Sequence, residues 1–129
     1  MEKLKADALE KGFVETLFGR RRYFPHMANM GFQARREAER MAINAPIQGS
    51  DSDIMKVAMV RVYKELAEDL RQGHVKLLLQ VHDDLLFEVV KTKVPSVRER
   101  VQTIMESVCK LEVPLRVDVK EGLNWRDMA

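Results

Sequence analysis

The sequence of 129 residues has a single cysteine, Cys109, so no disulfide can form within one chain. An unpaired cysteine on the apolar side of a helical pattern is typical of a small core residue in a reducing compartment. No apolar run approaches the roughly 18 residues that a membrane span needs. The N-terminus alternates in charge and lacks the apolar region of a signal peptide. We therefore expect a cytoplasmic protein without a membrane partner.

Aromatic residues are scarce, at 6%, and the net charge is only +2, which excludes a uniformly polycationic chain. The charge is nevertheless uneven. Between Gly12 and Arg40 the sequence contains six arginines and three glutamates, whereas from Asp83 onward it contains eight basic and nine acidic residues. A basic N-terminal region and a C-terminal region rich in carboxylates suit a phosphate-rich ligand, because a metal ion can bridge its phosphates to the carboxylates. A solvated surface of mixed charge is the alternative.

The segment Leu77 to Val90, LLLQVHDDLLFEVV, has two apolar runs on either side of His82, Asp83 and Asp84. Each run has the length of a strand and the polar break that of a tight turn, so the pattern predicts a β-hairpin. Aspartates are good turn residues in their own right. Two neighbouring carboxylates also suit Mg²⁺, which binds a few carboxylates together with substrate phosphates.

The segment from Gly12 to Pro25 predicts a smaller hairpin with arms at 13–16 and 22–24. Three consecutive arginines lie at its turn, and guanidinium groups match phosphate oxygens. A solubilising loop explains this stretch equally well. The three residues are Arg20, Arg21 and Arg22.

A helix is predicted from Gln33 to Ala45, where residues four apart share a face. Polar residues at this spacing form a stripe along the helix. Such a stripe can hydrogen-bond to phosphates and base edges, although a solvent-exposed polar face is the ordinary explanation. Its members are Arg36, Arg40 and Asn44, with Gln48 if the helix continues. Pro46 predicts a break, after which Ser50 is expected to cap a second helix, with Asp53 in its first turn, that runs to about Arg71.

Downstream, a helix is predicted from Val94, and alternation over Leu115 to Val119 predicts a final strand. Together with the short helix predicted over Glu2 to Lys11, these elements give an α+β fold. In it, the hairpin and the C-terminal strand pack on about three helices beside a small N-terminal hairpin. Trp125 is expected to anchor the C-terminal tail. We expect residues 1–129 to form a single, partial domain.

Five segments occur in one order, and their combination resembles a family of enzymes. They are GRRRYFP (19–25), ERMAINAPIQGSDSDIMK (39–56), QVHDDLLFEV (80–89), VPLRVDV (113–119) and GLNW (122–125). The chain resembles the C-terminal, palm-containing part of a bacterial family A DNA polymerase. In that family a palm-type hairpin carries the catalytic residues. The expected activity is template-directed DNA synthesis in replication and repair.

The resemblance also implies roles for individual residues. Asp83 matches a ligand of the catalytic metals, and His82 matches a residue that lies against the primer terminus. Asp84 stands where the family usually has glutamate, so we expect it to support catalysis. The trio Arg40, Asn44 and Gln48 matches residues along the DNA minor groove, where acceptors hardly differ between base pairs.

The mechanism that the resemblance implies is nucleotidyl transfer with two Mg²⁺ ions, with primer–template DNA and a deoxynucleoside triphosphate as partners. In the family a second metal-binding carboxylate lies on a strand upstream of the matched part. We therefore expect the chain alone to be inactive. Without that strand an apolar sheet edge is open, which predicts a homodimer.

Two other functions remain open. A non-enzymatic nucleic-acid-binding module would use the arginine-rich face and treat Asp83 and Asp84 as turn residues. A single-subunit RNA polymerase shares the His-Asp hairpin, although the AINAPIQGS stretch, residues 42–50, favours the DNA polymerases. A module of the first kind would be indifferent to divalent metal.

Overall fold

The structure is a computed structural model that describes residues 1–128. Internal contacts divide the chain into two compact units, Met1–Asp53 and the part from Ile54 onward. The elements in chain order are α1 (Glu2–Glu10), β1 (Phe13–Glu15), β2 (Arg21–Tyr23), α2 (Phe32–Glu65), α3 (Ala67–Arg71), β3 (Val75–Val81), β4 (Asp84–Val89) and α4 (Val94–Glu106). Short 3₁₀ turns cover Met27–Asn29, Lys91–Lys93 and Trp125–Met128. The predicted mixture of helices and antiparallel hairpins is confirmed.

The first unit is built around a small hairpin. Strands β1 and β2 pair antiparallel, with Val14 opposite Arg22, so alternation turns Val14 inward and leaves it 3% exposed. Residues 16–20 connect the strands, and Gly19 takes the positive φ of 77° that the connection requires. This hairpin was predicted; its first arm ends one residue earlier than expected, and its second arm is displaced by one residue. Its core contains Ala8, Val14, Phe24, Met27, Ala38 and Ala42.

The predicted break near Pro46 is wrong, because Pro46 lies inside α2, a helix of 34 residues. A proline inside a helix loses one backbone hydrogen bond at a cost of about 3 kcal/mol. Tertiary contacts on both sides of the proline compensate for this loss. Ala42 is fully buried, and further along Ser50 and Asp53 bind the β1–β2 connection. Ser50 is therefore not a helix cap.

The second unit contains the rest of α2, helices α3 and α4, and the β3–β4 hairpin. In this part of α2 the apolar residues Met55, Ala58, Val62 and Leu66, which follow one another at helical spacing, are buried, whereas Tyr63 is exposed. Leu66 interrupts the helix, so the segment predicted to run to Arg71 divides into α2 and α3. The central core consists of Val62, Leu66, Val75, Val97 and Val101.

The predicted strand at Leu115 to Val119 does not form within the described chain. Side chains of α4 occupy the backbone groups that a strand partner would use. The Val117 N–H donates to Glu106 Oε1 at 2.9 Å, and the Val117 carbonyl accepts from Gln102 Nε2 at 3.1 Å. Trp125 is 58% exposed, so it is not the buried anchor that was expected.

Across residues 1–128, no helix is long and apolar enough to cross a lipid bilayer.

Candidate nucleic-acid and metal interface

The β3–β4 hairpin presents His82 and Asp83 at its tip. Val81 pairs with Asp84, so His82 and Asp83 form a two-residue connection. The tip was predicted as a turn of three residues, and the structure moves Asp84 into the first position of β4. All three side chains are exposed. The two carboxylates are therefore adjacent along the chain and accessible to a ligand.

His82 has a φ of 56°, in the left-handed region that disfavours side chains with a β-carbon. Such a conformation costs on the order of 1 kcal/mol, and glycine would avoid the cost. The Gln80 side chain donates to the His82 carbonyl at 3.3 Å and supports the tip. The hairpin therefore carries an imidazole at a position where the backbone alone would favour glycine.

The tip suits one part of a magnesium site. Mg²⁺ is usually held by one or two carboxylates, with water and substrate phosphates as the other ligands. Asp83 and Asp84 supply hard oxygen donors of this kind. No group of three or more His, Cys, Asp or Glu residues placed to hold a metal occurs within the described residues. Asp83 and Asp84 therefore fit the role of two carboxylate ligands, to which water and substrate phosphates would add others.

In the first unit, the predicted phosphate-binding arginines surround a groove of about 390 Å³. The β1–β2 hairpin forms one side of this groove, which we call the arginine groove, and α2 forms the other. The residues that line it include Arg20, Arg21, Arg22, Asn44 and Gln48. Because α2 continues past Pro46, Asn44 and Gln48 lie one turn apart on one helix, as the stripe of polar residues required.

The three arginines of this groove have different partners. Arg20 Nε donates to Asp53 Oδ1 at 2.8 Å. Arg21 Nε donates to Glu15 Oε1 at 2.7 Å, and this hydrogen bond raises the pKa of the Arg21 guanidinium. The Arg22 guanidinium lies 3.6 Å from Met41 Sδ, a contact that does not neutralise its charge. Arg22 therefore has a guanidinium suited to a phosphate ligand.

Arg36 and Arg40 line a second groove of about 630 Å³, with Lys5 and Phe32. A step of four residues turns an α-helix by about 40° beyond a full turn, so the stripe drifts around α2. The Arg36 guanidinium lies 5.6 Å from the centre of the Phe32 ring, and this ring is 76% exposed. The structure thus distributes the predicted stripe between two grooves of the same unit.

Sequence patterns missed a cluster that joins α2 to the β1–β2 connection. Asp53, which was expected in the first turn of a helix capped by Ser50, accepts hydrogen bonds from Arg20 and from the Thr16 hydroxyl. Ser50 Oγ accepts from the Leu17 N–H at 2.9 Å. Gly49 was the one available signal, since a glycine inside a helix often marks a close approach of another segment.

Comparison with known proteins identifies the family. The model of "DNA polymerase family A" matches residues 1–127. The chain belongs to the family A DNA polymerases. It is 48% identical over 118 residues to DNA polymerase I of Caldicellulosiruptor bescii, which covers 92% of this chain. It is 44% identical over 127 residues to DNA polymerase I of Bacillus subtilis, which covers 98%. The chain spans 14% of the length of each of these polymerases.

A solved structure of a family A member agrees with this fold. The chain is similar to the POL domain of Pol1 from M. smegmatis in complex with DNA primer-template and dNTP, with a TM-score of 0.91 and 40% sequence identity. The similarity covers 98% of this chain and 22% of that domain chain. The prediction of a family A polymerase fragment, made from five short segments, is confirmed.

Proposed function

We propose that the chain is the C-terminal part of a DNA-directed DNA polymerase that works in replication and repair. The observation that carries this proposal is the position of Asp83 at the two-residue tip of the β3–β4 hairpin, within the part that matches family A. A rigid hairpin with an exposed carboxylate at its tip can present that carboxylate to a metal-bound nucleotide. Its partners are primer–template DNA and a deoxynucleoside triphosphate.

The reaction is the attack of a primer 3′-hydroxyl on the α-phosphate of the nucleotide, with release of pyrophosphate. Bound Mg²⁺ supplies Lewis-acid stabilisation of the attacking and leaving oxygens. Asp83 would hold the metal through its carboxylate, and Asp84, with one methylene fewer than glutamate, would support it. His82 lies against the primer terminus, and the two-residue turn limits the directions that its imidazole can take.

The DNA is held by side chains of the first unit. Arg22, with Arg20 and Arg21 beside it, contacts backbone phosphates, and Arg36 extends this contact along α2. Arg40, Asn44 and Gln48 follow the minor groove, where they test the shape of base pairs without selecting a sequence. The exposed side chains of α2 and the mouth of the arginine groove support this assignment.

The chain by itself is proposed not to polymerise, because Asp83 and Asp84 alone do not complete a two-metal site. The test is primer extension by the purified chain with Mg²⁺ and with Mn²⁺, on a labelled primer–template. We expect no extension above background. Extension that disappears in the Asp83→Ala variant would overturn this part of the proposal, since it would show a complete site within the chain.

A nucleic-acid-binding module without catalysis is the second candidate, and the arginine groove, which could bind phosphates without a metal, favours it. Titration of Mn²⁺ into the chain bound to primer–template DNA separates the two functions. A polymerase fragment shows paramagnetic broadening of the Asp83 and Asp84 NMR signals, and Asp83→Asn removes it. A non-catalytic nucleic-acid-binding module shows no broadening of the signals at the hairpin tip.

The homodimer stays a prediction, and no comparison supports it. Its basis is the apolar surface of β3, where Leu78 is 48% exposed and Leu79 47% exposed. Sheet edges of this kind pair with other chains when nothing covers them.

A further inference from the structure

The β1–β2 connection is tied to α2 by a compact set of polar contacts. We name this set the loop anchor and define it as Thr16, Arg20, Gly49, Ser50 and Asp53. Ser50 and Asp53 are each 8% exposed, and they are the only buried polar or charged residues within the described chain. Burial of a carboxylate is costly unless partners compensate it, so the contacts of Asp53 are not incidental.

Asp53 binds both ends of the connection. Its Oδ1 accepts from Arg20 Nε at 2.8 Å, and its Oδ2 accepts from the Thr16 hydroxyl at 2.7 Å. The Thr16 oxygen in turn accepts from the Arg20 N–H at 3.2 Å. Arg20 also reaches the Gly49 carbonyl through Nη2 at 3.3 Å. Both the backbone and the guanidinium of Arg20 are therefore fixed relative to α2.

Gly49 makes this close approach possible. A β-carbon at residue 49 would lie 2.6 Å from Thr16 Cγ2, a distance at which one of the two must move. The absence of a side chain thus allows the connection to lie directly against the helix. The same stretch of helix contributes Gln48 to the arginine groove, so the loop anchor sets the separation between the two sides of that groove.

We propose that Asp53 is a positioning residue for DNA binding: through Arg20 and Thr16 it holds the arginine-bearing hairpin at the separation from Asn44 and Gln48 at which a DNA backbone fits. This inference rests on the proposed function of DNA binding. It gives Arg20 and Arg22 different roles. Arg20 is held inside the loop anchor and orients the hairpin, whereas Arg22 contacts phosphate.

The direction in which Asp53→Asn changes the affinity for DNA separates a positioning role from an effect of charge alone. Asp53→Asn removes a negative charge beside a phosphate-binding groove, so electrostatics alone predict tighter binding to DNA. If Asp53 positions the hairpin, the same change weakens binding. Asparagine keeps one acceptor oxygen, so one of the two hydrogen bonds that Asp53 accepts is lost and the other is no longer assisted by charge; a loss of this size corresponds to about a tenfold weaker affinity. Asp51→Asn is the matched control, because Asp51 is exposed on the same helix and loses the same charge.

The experiment measures the affinity of the full chain for a fluorescein-labelled primer–template duplex by anisotropy, at fixed ionic strength. We expect Asp53→Asn to bind about tenfold more weakly than the unaltered chain and Asp51→Asn to bind as tightly or more tightly. Thr16→Val provides a second route that leaves Asp53 in place, and Thr16→Ser restores the hydroxyl. We expect weaker binding for valine and restored binding for serine.

A second readout uses no DNA. Hydrogen exchange of the Arg20 Nε–H group, followed by NMR, reports the contact with Asp53 directly. We expect slow exchange in the unaltered chain and in Asp51→Asn, and the fastest exchange in Asp53→Asn, whereas Thr16→Val, which keeps the Asp53 acceptor, should lie between them. Thermal unfolding identifies any variant that fails to fold, in which case the threonine pair decides.

The binding results distinguish failure of the positioning role from failure of the proposed DNA interface. If the unaltered chain binds the duplex and both Asp53→Asn and Thr16→Val bind as tightly or more tightly, the positioning role is wrong and the proposed function stands. If the unaltered chain does not bind the duplex, the proposed DNA interface and the positioning role both fail. Fast exchange of the Arg20 Nε–H in the unaltered chain would overturn the loop anchor itself.

Discussion

Arg20 Nε donates a hydrogen bond to Asp53 Oδ1 at 2.8 Å, although 33 residues separate the two along the chain. This contact joins the β1–β2 connection to a helix whose exposed face carries Asn44 and Gln48. It changes the role of Arg20 from a free phosphate ligand to a residue that is itself held in place. The two sides of the arginine groove, the β1–β2 hairpin and α2, are therefore held together by side-chain contacts, and substitutions can test these contacts.

Gly49→Ala is expected to destabilise the chain by about 1–3 kcal/mol, as overpacking does. This sign is opposite to the usual effect in a helix interior, where alanine is favoured over glycine by about 0.5–1 kcal/mol. The reason is that the new β-carbon would lie only 2.6 Å from Thr16 Cγ2. Denaturant unfolding measures the change. In a Thr16→Ser background, which lacks that methyl group, the cost of alanine should fall; an equal cost in both backgrounds would contradict the contact.

Asp69 is expected to make stability depend on acid pH. Arg100 donates to Asp69 Oδ2 at 2.9 Å and lowers the pKa of this carboxyl below its ordinary 3.8, with further contributions from His74 and Lys93. Because the folded state favours the carboxylate, the stabilisation is complete above about pH 4 and is lost as the pH falls through the lowered pKa.

Comparison of the chain with Asp69→Asn by denaturant unfolding at several pH values tests this dependence. The variant should be less stable at pH 7, and the difference should shrink below about pH 4. Asp118→Asn, at an exposed position, serves as control and should show little difference at any pH. A difference for Asp69→Asn that stays constant down to about pH 2, well below the ordinary pKa of an aspartate, would show that its charge is not involved.

The two variants His82→Gly and His82→Ala are expected to differ in stability although both lack the imidazole. Glycine adopts the φ of 56° without the penalty of a β-carbon, so His82→Gly should be the more stable by about 1 kcal/mol. Thermal unfolding of the pair measures this difference. Equal stability, or greater stability of the alanine variant, would argue against a left-handed residue at the tip.

Patterns along the sequence predicted the two hairpins and the residues at the hairpin tip, because each depends on neighbours within a few positions. They failed where distant residues decide. Pro46 and Ser50 resemble a helix boundary locally, yet the chain folds the β1–β2 connection against this part of α2, and Ser50 and Asp53 bind it. Alternation over Leu115 to Val119 predicts a strand, but the partner that reaches Val117 is Glu106 of α4.

Glu106→Ala is therefore expected to loosen the segment around Val117 while leaving α4 folded. The Val117 N–H loses its acceptor at 2.9 Å, so its amide should exchange faster with solvent. Hydrogen exchange by NMR, with Val101 in α4 as the internal reference, measures the effect. Unchanged exchange at Val117 would mean that another contact holds this segment.

The most direct test of the account is a chimera. The part of this chain that aligns with the DNA polymerase I of Bacillus subtilis, 44% identical over 127 residues, replaces the matching part of that polymerase, and primer extension is measured with Mg²⁺. We expect the chimera to extend a primer, and Asp83→Ala to lower its kcat on the order of a hundredfold or more while primer–template affinity changes little. A folded chimera that binds DNA without extending it, or one that keeps its full rate with Asp83→Ala, would contradict the assignment of the hairpin tip as a catalytic metal ligand.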